Sequence, residues 1–337
     1  VKPPAFWFRK PGVLSGLLGS LSWGVARVAA RRRAQPGWKA PVPVICCGNL
    51  TVGGTGKTTM VSDLAQRLRG RGLAVHILTR GYGGRAGRNG VPVRVDAGVH
   101  TAADVGDEPL LLARTAPCWV GADRAASARA AVAAGADCLL MDDGFQNPGL
   151  HKDISLLLVD GATGFGNGCV LPAGPLREDL RAGLRAADAV IVTGDKAGPG
   201  LTAVIAGALR PDVPLLRAGL VMEAAADGLS GQRVIAFAGL ARPSKFFDAL
   251  RARGVTPVHC EPFPDHHMFR RAELERLKRM AAEMSAELVT TPKDAVRLPD
   301  DFVQHVKVVG VSVDWTDPRA PEHLLSMISN MTSGVAS

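Results

Sequence analysis

Tyrosine occurs once in this 337-residue chain, as Tyr82, and aromatic residues make up only 5% of it. So few flat rings exclude a β-rich module that stacks bases on aromatic side chains. The six cysteines form no C-x-x-C pair, and no histidine-rich cluster accompanies them, so neither a zinc ribbon nor a disulfide framework is indicated. Cys46, Cys47 and Cys138 lie in apolar, strand-like runs and read as buried free thiols of a reducing compartment. There is no internal repeat and no glycine period, which excludes collagen. Acidic residues are absent before Asp63, so residues 1–40 carry +8, while the remaining 297 residues sum to about +1. A nearly neutral body with one basic end argues against a broad nucleic-acid face and for a local anionic partner.

A hydrophobic content of 47% and a charged content of 21% are ordinary for a globular protein able to bury a core without staples. The length suggests two domains.

Residues 11–26 are uncharged, but the stretch is shorter than the roughly 20 apolar residues of a spanning helix and holds Gly12, Gly16, Gly19 and Gly24. Leu14, Leu17, Leu18, Leu21, Val25 and Val28 nevertheless follow helical spacing, with Arg27 and Arg31 opposite them. Phe6, Trp7 and Phe8 precede this stripe and Arg31–Arg33 close it. The pattern is that of a helix lying in a membrane interface. The alternative is a helix docked on its own domain with a solvated basic face. A cleaved signal peptide is disfavoured, because Arg27 interrupts the apolar run.

The strongest local signal follows at Pro43–Thr59. An apolar strand (42–48) runs into Thr51-Val52-Gly53-Gly54-Thr55-Gly56-Lys57-Thr58-Thr59, and then into a helix carrying Met60, Val61, Leu64 and Leu68 on one face. Glycines let the backbone wrap a phosphate, and the new helix N-terminus adds positive potential. Lys57 suits the β- and γ-phosphates, and the Thr58 hydroxyl suits Mg²⁺. Thr51 stands where the usual signature begins with glycine. A second apolar strand ends in Asp142-Asp143, either of which can serve as the magnesium-side carboxylate.

Strands and helices alternate from 42 to 194, which predicts an α/β fold: a P-loop NTPase-like parallel sheet with helices on both faces, ligands at one edge. A helix is expected over 176–187. Asp195–Pro214 reads as a transition, and a smaller second α/β unit follows, with its last strand over 306–313 and a final helix within 316–337. The expected division is an amino-terminal basic amphipathic helix over 1–35, a P-loop domain over 36–225, and a domain over 226–337 that closes the cleft.

Three further groups stand out: Asp107-Glu108 in a tight turn before an apolar helix, Arg177-Glu178 at a helix start, and Asp265-His266-His267 after a strand. Each has a bland reading as an N-cap, a surface ion pair or a solvated loop. The last lacks the further ligands a zinc site would need.

Together with Thr79-Arg-Gly-Tyr-Gly-Gly84, Pro172-Ala-Gly-Pro-Leu-Arg-Glu178 and Thr291-Pro-Lys-Asp294, these motifs occur in an order that resembles the tetraacyldisaccharide 4'-kinase family. The likeness runs from the amino-terminal helix to about residue 315. It implies transfer of the ATP γ-phosphate to the 4'-hydroxyl of a tetraacyl glucosamine disaccharide 1-phosphate in lipid A synthesis. It also implies ATP and Mg²⁺ as cofactors and a peripheral place on the cytoplasmic face of the bacterial inner membrane. Residues 1–35 would meet the anionic lipid surface; no nucleic acid and no obligate protein partner are expected.

Carried over by motif, Lys57 and Thr58 bind phosphates and Mg²⁺, and Asp142 and Asp143 supply metal-side carboxylates. Asp107 is the base and His266 its partner across the cleft. Tyr82, Gln146, Arg177 and Glu178 line the nucleotide and acceptor sites. This chain has Pro292 where the family often has glutamate. The rivals are a membrane-associated ATPase switch of the deviant phosphate-loop type, which usually has lysine where this chain has Val52, and a GTPase, whose Asn-Lys-x-Asp motif is not matched.

Overall fold

A computed structural model describes residues 3–53, 55–194 and 197–332; Lys2 of the basic set, Gly54 of the phosphate loop, and Asp195 and Lys196 of the expected transition lie outside them. In chain order the strands are β1 (Val44–Gly48), β2 (Val75–Thr79), β3 (Val93–Arg94), β4 (Cys118–Val120), β5 (Cys138–Asp142), β6 (Ile154–Asp160), β7 (Ala189–Thr193) and β8 (Leu215–Met222). There follow β9 (Val234–Ala238), β10 (His259–Pro262), β11 (Glu287–Thr290), β12 (Val306–Val308) and β13 (Val311–Trp315).

Two sheets form. The larger has the order β13-β8-β7-β6-β1-β5-β2-β4-β3, and is parallel except for β13 and β3 at its edges. β1, β2, β5 and β7 are buried along their whole length, as parallel strands covered on both faces must be. Alternate residues of β1 serve opposite layers: Ile45 and Cys47 pack with Met60 and Leu64 of the helix Lys57–Gly70, whereas Val44 and Cys46 pack with Ala128 and Leu139. β1 lies between β5 and β6. The strand order therefore reverses at β1, which is where open α/β sheets place their ligands.

The smaller sheet, β10-β9-β11-β12, is parallel throughout. Helix Pro243–Ala252 covers one face with Phe246, Phe247 and Leu250; helix Arg271–Glu283 covers the other with Leu274 and Leu277.

Several elements differ from expectation. The run 306–313 is two strands rather than one. β12 belongs to the small sheet, and past Gly310 the chain crosses back so that β13 pairs antiparallel with β8. Trp315, Leu324, Leu325 and Ile328 then join the core of the larger sheet, so the segment after about 310 is part of the first lobe rather than of a unit over 226–337. The physical cause is β8, which lies outside the expected strands: it leaves an edge that β13 covers. The helix expected over 176–187 is confined to Leu180–Arg185, because Leu176 bridges Thr51 and the Arg177 amide donates to Leu50 O at 2.7 Å.

The amino terminus forms a 3-10 turn (Ala5–Phe8) and helices Val13–Leu17 and Gly19–Arg33. It docks through its serines. Ser22 Oγ donates to Val170 O at 2.8 Å, Ser15 Oγ accepts from Asn167 Nδ2 at 3.3 Å, and Trp7 Nε1 donates to Pro172 O at 3.1 Å. The apolar stripe points outward: Leu17 is 72% exposed, with Val13, Leu14, Leu21 and Trp23 also exposed. Among the described residues, no helix is long and apolar enough to cross a membrane.

Candidate active site

The loop from Thr51 to Thr59 leaves β1 and enters the helix at Lys57. Gly53 (φ 131°) and Gly56 (φ 77°) hold left-handed backbone at the turn, and a Cβ on Gly56 would come within 2.9 Å of Leu220 Cδ1. Thr51 takes the missing glycine's place by pairing with Leu176, and the Val52 amide donates to Pro175 O at 2.9 Å. The loop is thus braced on the segment that carries Arg177 and Glu178. Thr55 is buried and its carbonyl accepts from Thr193 Oγ1 at 3.2 Å. Thr58 and Thr59 are half-buried in the first helical turn.

The paired aspartates after β5 have opposite surroundings. Asp143 sits in left-handed backbone (φ 53°), where Arg177 Nη1 donates to both its oxygens at 2.9 and 3.0 Å, and Lys57 Nζ lies 3.6 Å away. Burial opposes its charge, but Lys57 and Arg177 outweigh it and hold the carboxyl below its ordinary range. Asp142 is 2% exposed and its Oδ1 has no hydrogen-bond partner. Burial, helped by the Glu108 and Asp143 carboxylates, pushes it up to about 7 against the pull of Lys57 and Arg124.

Gln146 links this cluster to its neighbours. It donates to Asn49 O at 2.9 Å and to Glu178 Oε1 at 2.8 Å, while Arg177 Nη1 is 3.4 Å from its Oε1. Glu178, almost fully buried, also accepts from Arg33 Nε of the amino-terminal helix at 2.9 Å. A cavity of about 710 Å³ opens here, between Leu21, Val25 and Val28 of that helix and Gln146, Arg177 and Glu178.

Asp107 and His266 meet across the two sheets. Asp107, 4% exposed, follows Gly106 (φ 93°) and begins the helix Asp107–Ala113. His266 lies in the turn after β10 with φ 57°, and its Nδ1–H donates to Asp107 Oδ2 at 2.9 Å. Among the described residues, Asp143, His266 and Ser285 are the non-glycine residues with positive φ, so two of the three lie in this site. Lys293 Nζ and Arg297 Nε stand 3.9 and 3.8 Å from Asp107 Oδ2. Burial works against the Asp107 charge, but the His266 hydrogen bond, Lys293 and Arg297 outweigh it and keep the carboxyl below its usual range. Tyr82 is exposed, its ring 6.4 Å from that of His266. Asp265 Oδ2 lies 3.8 Å from His266 Nε2, whereas His267 turns away to Glu273, 2.8 Å distant.

The expected residues thus gather in two groups, Lys57–Asp143–Arg177–Gln146–Glu178 and Asp107–His266–Tyr82, with Glu108 near enough to Asp142 for its charge to be felt there. Sequence reasoning missed Arg33, Arg124 and Arg297. Arg297 had one signal, its place one helical turn after Lys293, whose carbonyl accepts from Arg297 Nε at 3.0 Å. Arg124, buried beside Asp142, carries no local mark.

Comparison with known proteins gives the family. The family model described as tetraacyldisaccharide-1-P 4'-kinase (LpxK) matches residues 14–329. A tetraacyldisaccharide 4'-kinase of Gluconacetobacter diazotrophicus is 56% identical over 326 residues, 96% of this chain and 97% of the relative. Another, from Gluconobacter oxydans, is 51% identical over 97% of this chain and 98% of its own length. The crystal structure of LpxK from Aquifex aeolicus in complex with ATP superposes with a TM-score of 0.75 at 26% identity, covering 95% of this chain and all of that one. These matches favour the kinase over the switch ATPase. By sequence and fold alike, the chain belongs to the tetraacyldisaccharide-1-P 4'-kinase family.

Proposed function

We propose that Asp107 is the base of the phosphoryl transfer, taking the proton of the disaccharide 4'-hydroxyl as that oxygen attacks the γ-phosphorus of ATP, whose bond to the β,γ-bridging oxygen breaks so that ADP leaves. The chain is a phosphotransferase with an alcohol acceptor, a kinase of lipid A biosynthesis. The observation that carries the role of Asp107 is its 2.9 Å contact with His266 from the other sheet. A carboxylate kept ionised, oriented by an imidazole and almost closed to water suits general-base work on an alcohol. Because the pair spans the two sheets, the base is in place where they lie together and water is largely excluded.

The loop at Thr51–Thr59 takes the ATP phosphates, with Lys57 on the β/γ side. Thr58 and Asp142 would hold Mg²⁺. The fit is supported by the buried, unpartnered Asp142 Oδ1. Among the described residues no three His, Cys, Asp or Glu side chains gather into a metal site, which suits an ion that takes its remaining oxygens from phosphates and water. When bound, Mg²⁺ offsets charge on the phosphates. Asp143 orients Lys57 and Arg177 toward the same region.

The acceptor enters from the lipid surface through the cavity beside the amino-terminal helix, whose floor is Gln146, Arg177 and Glu178. That helix lies on the cytoplasmic face of the inner membrane. Its outward leucines each contribute about 1.5–3 kcal/mol on full burial, and Arg27, Arg31 and Arg32 about 1 kcal/mol each near anionic lipid. An ATP-consumption assay with and without the lipid disaccharide tests the scheme. Turnover should require the lipid, and Asp107→Asn should lower kcat about 10²–10⁴-fold while a single cooperative thermal transition is retained; a wild-type rate would remove Asp107 from the base role.

A further inference from the structure

Two charged side chains behind the Asp107–His266 pair are given no contact with ATP or acceptor in this scheme. Asp294 is fully buried and the Arg297 side chain is 2% exposed. Arg297 Nη2 donates to Asp294 Oδ1 at 3.1 Å and to Gly239 O at 3.3 Å, and Nη1 donates to His267 O at 3.0 Å. Its Nε donates to Lys293 O and lies 3.8 Å from Asp107 Oδ2. Asp294 accepts in turn from the Gly239 amide at 2.8 Å and from Thr291 Oγ1 at 2.6 Å. One guanidinium therefore ties together the chain ends after β9, β10 and β11, and leans on a carboxylate from the other sheet.

Stability is a weak account of such a pair, since desolvating both ions offsets much of their attraction. Geometry is a better one. His266 occupies left-handed backbone that persists only where the surroundings hold it, and the planar Arg fork grips the next residue's carbonyl. We propose that Arg297, backed by Asp294, is a positioning residue that fixes the His266 turn and Asp107 at the distance where carboxylate and imidazole meet. The inference is built on the reading of Asp107 as base.

The test uses the full chain with ATP and the lipid disaccharide. Arg297→Lys keeps the charge but loses the fork. It should lower kcat about 10- to 100-fold while the KM for ATP stays within about threefold, since the phosphate loop belongs to the other sheet. In an Asp107→Asn background the same substitution should cost less than about twofold more, because it acts through Asp107. Asp294→Asn, nearly isosteric, should give the same signature at about 3- to 10-fold, and serves as the second variant if lysine does not pack. Wild-type kcat in both variants, or losses that multiply in full with Asp107→Asn, would overturn the proposal while leaving the base reading intact. Wild-type turnover by Asp107→Asn alone would instead overturn the base reading, and the proposal with it.

Discussion

Asp142 and Asp143 are neighbours in sequence with opposite chemistry, because environment rather than residue type sets the charge of a carboxyl. Asp143 has two cations within reach, and Asp142 has a buried oxygen, Oδ1, that accepts no hydrogen bond. A carboxyl whose folded pKa is raised to about 7 costs the fold stability once pH passes its ordinary value, increasingly up to about 7. Without divalent metal, Asp142→Asn should therefore unfold at a higher temperature than wild type at pH 8, with the gain vanishing near pH 4. The same variant should lose about 10- to 100-fold in apparent Mg²⁺ affinity for turnover. Thermal scans across pH and a magnesium titration of kcat check the two halves. Asp107 has the opposite sign: its folded pKa is lowered, so its contribution is present above the ordinary carboxylate range and lost as pH falls below it.

At the scale of elements, the helix Lys57–Gly70 matched its expected limits, since its apolar residues recur at helical spacing and Gly56 marks its start. Of the readings that the sequence left open for the amino-terminal helix, the structure shows the docked one. The segment docks on its own domain through Ser15, Ser22 and Trp7, but with the face opposite the leucines. Hydrophobic spacing located the stripe; only the neighbouring loop at 167–173 decided which face it would turn inward. Exposed leucines contribute little to the fold, so Leu17→Asp with Leu21→Asp should leave the thermal midpoint within about 2 °C. Binding to anionic vesicles should weaken by at least about tenfold, read by co-sedimentation. Undiminished sedimentation would leave the stripe without a membrane role.

At the scale of the whole molecule, the chain leaves the large sheet after β8, builds the small one, and returns at β13. The return is locked at Trp315, which is 7% exposed and donates through Nε1 to Asp63 Oδ2 at 3.0 Å, on the helix that follows the phosphate loop. Trp315→Ala should cost about 3–5 kcal/mol, measured by urea unfolding, while turnover per folded molecule changes little because Trp315 touches none of the site residues. The same return explains why a division at 225/226 is incomplete: an apolar run such as 306–313 has one hydrophobic pattern whether it serves one sheet or two.

The sequence by itself determined whatever depends on neighbours along the chain: the strand, glycine-rich loop and helix over 42–70, the paired aspartates at a strand end, the alternation of elements from 42 to 194 and the basic amphipathic amino terminus. A turn or a helix face is written in a dozen consecutive residues. Only the tertiary structure decided that Asp107 meets His266, 159 positions away, that Arg297 stands behind both, and that Asp142 rather than Asp143 is left unpartnered. Those facts arise from packing between distant segments and from the solvent that packing removes, and neither leaves a periodic trace in the chain.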